Sequence, residues 1–210
     1  MTKQMNKQSM KNHSLKNIFT ALMAIAMLAV FSNPAMAEDW SKLSKKKQTT
    51  LGLYMTSTEA YDYMMKNMDK ALFLDVRTPA ELNYLGVVTV MDANVPTDTM
   101  DGSAWDDKKN RYVRKHNDNF VADVDARLRA KGLNKSDTVI LICRSGDRSA
   151  KAADVLAKNG YTKVYTVVDG FEGDKAKEGE HKGQRVVNGW KNAGLPWTYS
   201  MDKDKMYFTK

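Results

Sequence analysis

The sequence predicts an α/β domain with a mainly parallel central sheet flanked by helices. Three observations carry that expectation. Short, mainly apolar runs occur at 71–76, 138–142 and 163–168, the last two rich in β-branched residues, with the length and composition of buried strands. Stretches with helical spacing alternate with them, as Phe120, Val124 and Leu128 do. The run 139–143 then leads through a loop of polar residues and one glycine into a helix-like stretch at 149–159. Such strand–loop–helix junctions are where open parallel sheets bind their ligands.

Residues 1–17 carry Lys3, Lys7, Lys11 and Lys16 without an acid, and residues 18–31 are apolar apart from Thr20. Ala35, Met36 and Ala37 then supply the small residues of a cleavage site. Residues 1–37 are thus expected to be a cleavable secretory signal, with Glu38 the first mature residue and the bacterial periplasm the compartment. The apolar run is too short for a stable membrane anchor. Removing it takes four lysines and lowers the formal charge from +8 to +4. Lys45, Lys46 and Lys47 lack interleaved aromatics, so residues 38–50 are expected to be a solvated, mobile linker and no nucleic-acid partner is expected.

One domain is expected over residues 51–200, followed by a tail at 201–210. Thr56 and Glu59 fit a capping box that opens a helix running to about Asn67. The strand 71–76 closes at Arg77, Thr78 and Pro79, and Pro79 suits the first turn of a short helix carrying Glu81 and Leu82. A brief strand at 92–95 stops at Pro96. Residues 97–119 are polar, rich in Asp, Lys and Asn and without periodicity, and are expected to be a surface insertion. A helix at 120–131 ends at Gly132, and the strand 138–142 delivers Cys143. A helix from 149 to 159 ends at Gly160, and the strand 163–168 follows. Residues 169–185 look like a second insertion, and residues 186–192 like a helix stopped at Gly194, Leu195 and Pro196.

Cys143 is the single cysteine of the chain. In an exported protein, an odd cysteine suggests intermolecular pairing or a reactive thiol, against the alternative of an inert buried one. The thiolate is the nucleophile, and arginines or a helix N-terminus favour it. Arg144 and Arg148 supply charge, the following helix directs unpaired N–H groups at the loop, and Gly146 lets the backbone turn. A shallow cationic cradle with sulfur at its floor is expected. Four residues separate Cys143 from Arg148, one fewer than in the loops of cysteine-dependent phosphatases. The shorter ring favours a sulfur atom over a phosphate.

The loop Cys143-Arg144-Ser145-Gly146-Asp147-Arg148-Ser149 resembles the active-site loop of the rhodanese family of sulfurtransferases. Leu74-Asp75-Val76-Arg77-Thr78-Pro79-Ala80-Glu81 is similar to that family's upstream signature. Gly160, Tyr161 and Val164 resemble its next strand, and Gly189-Trp190-Lys191 with Ala193-Gly194-Leu195-Pro196 its carboxyl end. Two features depart from the pattern. Gly86-Val87-Val88 stands where members commonly carry a histidine-containing stretch, and the insertions at 97–119 and 169–185 are long. Both insertions could rim the mouth of the site.

The resemblance implies a single rhodanese-like domain in which Cys143 carries a persulfide. Arg144 and Arg148 would bind an anionic donor such as thiosulfate, or one of them would only brace the loop. Ser145, Gly146, Asp147 and Ser149 would supply backbone N–H groups, with the Asp147 side chain turned away. Cyanide or a thiol would accept the sulfur, or a protein acceptor in its place, and no cofactor or metal would be needed. Asp75, Arg77 and Glu81 are expected to be structural, with Glu81 in reach of Arg77. His181 is expected to be solvated, and Trp190 and Trp197 to pack. Two other classes compete: a sulfur-carrier or docking module with little turnover of small donors, and a phosphatase or arsenate-handling enzyme of the same fold.

Overall fold

The computed structural model describes residues 39–208; the expected signal at 1–37 lies outside them. Five strands form one parallel sheet in the order β1-β8-β7-β2-β4. These are β1 (Tyr54–Met55), β2 (Ala71–Asp75), β4 (Ala93–Asn94), β7 (Thr138–Ile142) and β8 (Val164–Val167). The helices are α1 (Ser57–Asn67), α2 (Pro79–Leu85), α3 (Phe120–Ala130) and α4 (Asp147–Lys158). Outside the sheet, β3 (Val87–Val88) pairs antiparallel with β9 (Trp197–Thr198), and β5 (Asp98–Asp106) with β6 (Arg111–His116).

Every residue of β2 and β7 is buried, because helices cover both faces of the sheet. The period of two in a strand divides their side chains between two apolar layers. Leu72, Leu74, Val139 and Leu141 face Phe120, Val124 and Leu128 of α3 and Ala152, Ala153 and Leu156 of α4. Phe73, Ile140 and Ile142 face Ala60 and Met64 of α1, Leu82 of α2, and Phe171 and Trp190. Cys143 continues the parity of Val139 and Leu141. Its position above one face is therefore set by the strand itself.

The capping box at Thr56 and Glu59 forms as expected, and Thr78 with Glu81 makes a second one at α2. Where β2 ends, a buried ion pair closes the turn. Both oxygens of Asp75 accept from Arg77, the shorter contact being 2.6 Å to Nη2, and neither side chain is exposed. Arg77 also donates to the Gly86 carbonyl at 2.9 Å and lies 4.0 Å from the Phe171 ring centre. Asn94 Nδ2 donates to the carbonyls of Asp75 and Arg77. Strand, loop and neighbouring strand are tied at one point.

Four sequence expectations need correction. The first of these concerns 97–119, where the stretch read as lacking periodicity holds the β5–β6 hairpin, whose turn passes through Asn110 at φ 49°. Residues 186–192 are not helical. Gly189 has φ +100°, and the amides of Gly189 and Trp190 donate to Asp169 and to the Gly170 carbonyl instead of to a helix ladder. Helix α4 starts at Asp147, two residues before the expected Ser149. The lysine cluster is not uniformly solvated either: Lys47 is 8 % exposed, and its ammonium lies 2.8 Å from both oxygens of Asp174. At the other end, Lys205 donates to the Met91 carbonyl and Arg127 to that of Asp204, so residues 201–206 lie against the domain.

Breaking the Asp75–Arg77 pair from one side leaves a buried charge unmatched, which costs about 3–5 kcal/mol. Asp75→Ala is therefore expected to lower unfolding stability by that amount in chemical denaturation, far more than loss of an exposed ion pair such as Lys109–Asp106.

Candidate active site

Cys143 follows the last residue of β7 and is 1 % exposed. Gly146, in the left-handed region at φ 94°, turns the chain so that its own amide donates to Cys143 Sγ at 3.2 Å. Ser149 Oγ lies 3.5 Å from the sulfur, donates to the Gly146 carbonyl at 3.0 Å and accepts from Thr166 Oγ1 at 2.6 Å. Helix α4 begins at once, and the amides of its first turn have no partner within the helix. Their direction, with the helix dipole, favours negative charge over the loop.

The loop is held from behind by the turn that follows β8. Phe171 and Glu172 donate their amides to the carbonyls of Cys143 and Arg144 at 2.8 and 3.0 Å. A Cβ on Gly170 would sit 2.5 Å from Ser145 N, so only glycine permits this approach. Asp169 anchors the turn by accepting from Ser57 N and Oγ, both at 2.9 Å, and from Gly189 N at 3.2 Å. Burial raises the Asp169 pKa, and these donors work against that shift.

The two loop arginines differ. Arg148 makes a bidentate ion pair with Glu81, at 2.7 and 2.6 Å, and its side chain is 16 % exposed. Arg144 is more open, and its Nε lies 3.9 Å from Glu172. The expectation that Glu81 would pair with Arg77 is wrong, because both oxygens of Glu81 are taken by Arg148 from α4. Burial acts to raise the Glu81 pKa, but the hydrogen bonds and charge of Arg148, with help from Thr78 and Arg114, lower it to about 2. Burial likewise disfavours the Arg148 cation, and Glu81 more than offsets this, so its pKa is raised.

Cys143 opens onto a cavity of about 480 Å³. Arg144, Ser145, Asp147 and Arg148 line it from the loop. Lys151 and Arg185 contribute from α4 and the 169–185 segment, and Lys109, Arg111, Arg114 and His116 from the hairpin. The hairpin cations were not singled out in the sequence, where they stand in a stretch of mixed charge with no motif. His181 is exposed and its ring lies 3.2 Å from Gln184, whereas Trp190 is fully buried in the core. Sulfur below convergent N–H groups and fixed cations can hold a bound anion and stabilise charge on sulfur.

Comparison with known proteins follows the same lines. The family model of the rhodanese-like domain matches residues 57–177. An uncharacterized protein of Rickettsia rickettsii is 31 % identical over 143 residues, covering 68 % of this chain and 94 % of its own. The crystal structure of Rv0390 from M. tuberculosis is similar at a TM-score of 0.54 and 34 % identity, covering 70 % of this chain and 97 % of that one. A putative sulfur carrier protein of Bacillus subtilis, YrkF, is 48 % identical over 47 residues, 22 % of this chain and 25 % of its own. With its loop, its sheet order and a family match over more than half its length, the chain belongs to the rhodanese-like domain family.

Proposed function

We propose that this protein is a sulfurtransferase working through a persulfide on Cys143. The family is one of sulfurtransferases and sulfur carriers. The observation that carries the reading is the sulfur of Cys143, held 3.2 Å from the Gly146 amide at the floor of a cavity rimmed by cations. In the first half-reaction the Cys143 thiolate attacks the outer sulfur of a donor such as thiosulfate. The bond between the two donor sulfurs breaks, and sulfite leaves with its electron pair. An acceptor thiolate or cyanide then attacks the terminal sulfur of the persulfide, and the Cys143 thiolate departs with the pair. Arg144 is the more accessible cation for the donor's anionic end, while Glu81 fixes the direction of Arg148.

A sulfur-carrier role differs only in turnover. The similarity to the putative carrier of Bacillus subtilis supports it as the second reading. Export to the periplasm is part of the proposal and rests on the lysine-bearing, apolar and small-residue order of residues 1–37.

Incubation with thiosulfate is expected to add one sulfur to Cys143, read by mass spectrometry of the intact protein, and Cys143→Ser to abolish the adduct. An unmodified thiol after incubation with thiosulfate and with organic persulfides would sink the assignment. Steady-state cyanolysis separates the enzyme from the carrier, which loads but does not turn over. Arg148→Lys keeps the charge but loses the bidentate pairing, and is expected to lower kcat/KM by about tenfold.

Glu81 gives a pH test. Its folded pKa, about 2, lies below the ordinary 4.5, so its stabilising contribution is complete above pH 4.5 and is lost as pH falls towards 2. Glu81→Gln is therefore expected to be less stable than the parent near neutrality, and the two denaturation midpoints to converge over that acid range.

A further inference from the structure

The β5–β6 hairpin brings a second group of cations to the Cys143 cavity, apart from the loop that holds the sulfur. Arg111 and Arg114 line this cavity from β6, together with Arg185 from the 169–185 segment. Arg111 and Arg185 make no ion pair among the described residues, and Arg111 Nε is buried without a hydrogen-bond partner. Arg114 reaches only the edge of Glu81, at 3.9 Å, and that carboxylate is already engaged by Arg148. The cations also work against one another. Burial and then the charge of Arg148 lower the Arg114 pKa, and burial and then the charge of Arg144 lower that of Arg185. A folded chain that gathers partly buried, mutually repelling cations gains from an anion that neutralises them.

Cavity size decides which anion. At about 480 Å³ the space falls in the range of pockets that take organic ligands, roughly 300–1,000 Å³, and is far larger than a five-atom inorganic donor needs. Cys143, 1 % exposed, and the hairpin arginines line the same cavity from different elements, so one ligand can offer sulfur to the first and carboxylate to the second. The near-complete burial of Cys143 favours a small molecule over the surface of a folded protein.

Resting on the sulfur-transfer reading, we propose that Arg111 and Arg114 form a carboxylate subsite. The preferred donor is then a small organic persulfide, RS–SH, whose R group bears carboxylates. The Cys143 thiolate attacks the outer sulfur, the RS–S bond breaks, and RS⁻ leaves with the electron pair while its carboxylates stay on the arginines.

Glutathione persulfide and its diethyl ester, which masks both carboxylates, are the probes. Persulfide formation on Cys143 is followed by rapid quenching and mass spectrometry. The acid is expected to load with a kcat/KM at least tenfold above that of the ester, mainly through KM. In the Arg111→Ala/Arg114→Ala variant this ratio is expected to fall towards one, while Arg111→Lys, which keeps the charge, retains most of it. Equal loading by acid and ester in the parent, or an unchanged ratio in the double variant, overturns the subsite and leaves the transfer reaction intact. Failure of these donors and of thiosulfate to load Cys143 overturns both.

Discussion

Two stretches of backbone lie against each other behind Cys143, and the site depends on that contact. Strands β7 and β8 are parallel neighbours, so the turns leaving their carboxyl ends emerge side by side. The amides of Phe171 and Glu172 take the carbonyls of Cys143 and Arg144. With those carbonyls engaged from behind, the loop can present its own amides towards the sulfur. The approach leaves no room for a side chain at either contact point. A Cβ on Gly146 would come within 2.2 Å of the Val168 carbonyl oxygen, and one on Gly170 is equally barred.

The charges around this loop fall into two kinds. Asp75 and Arg77, buried and mutually neutralised, hold the end of β2 and reach across to Gly86 and Asn94. Glu81 and Arg148 do the same at the cavity wall, with α2 supplying the carboxylate and α4 the guanidinium. Arg111 of the hairpin and Arg185 of the 169–185 segment have no ion-pair partner among the described residues, and both line the cavity. The buried charges at the end of β2 and at the start of α4 are paired, and the unmatched Arg111 and Arg185 are placed on the cavity. The net field favours arrival of an anion and opposes loss of the loop's geometry on binding.

The elements legible in the sequence were those whose local chemistry is self-sufficient. A capping box needs only Thr56 and Glu59, and β7 announces itself by an unbroken apolar run. The hairpin escaped because its faces are half-exposed and polar, so no hydrophobic period marks it. What holds it is a backbone ladder, the Trp105–Tyr112 ring contact at 5.3 Å and the Lys115–Asp101 pair at 2.8 Å. All of these join residues whose pairing is set by register across a bulge. The segment 186–192 misled for the opposite reason: its composition suits a helix, but its amides serve the turn at 169–171. Glu81 was assigned to the nearest arginine in sequence. Its true partner, Arg148, lies on another helix, a tertiary contact that sequence proximity does not reveal.

Ser149 adds a constraint of a different order. Its hydroxyl has one proton, which it gives to the Gly146 carbonyl, while Thr166 fills one of its acceptor positions. Cys143 Sγ lies 3.5 Å from the same oxygen, and either atom can donate across that gap. A thiolate has no proton to offer, so Ser149 can help it only by swinging its own proton off the Gly146 carbonyl. The Gly146 carbonyl would still accept from the Ala150 amide at 3.1 Å, so the first turn of α4 survives that swing. A hydroxyl free to turn between loop and sulfur thus stands where the helix does not depend on it.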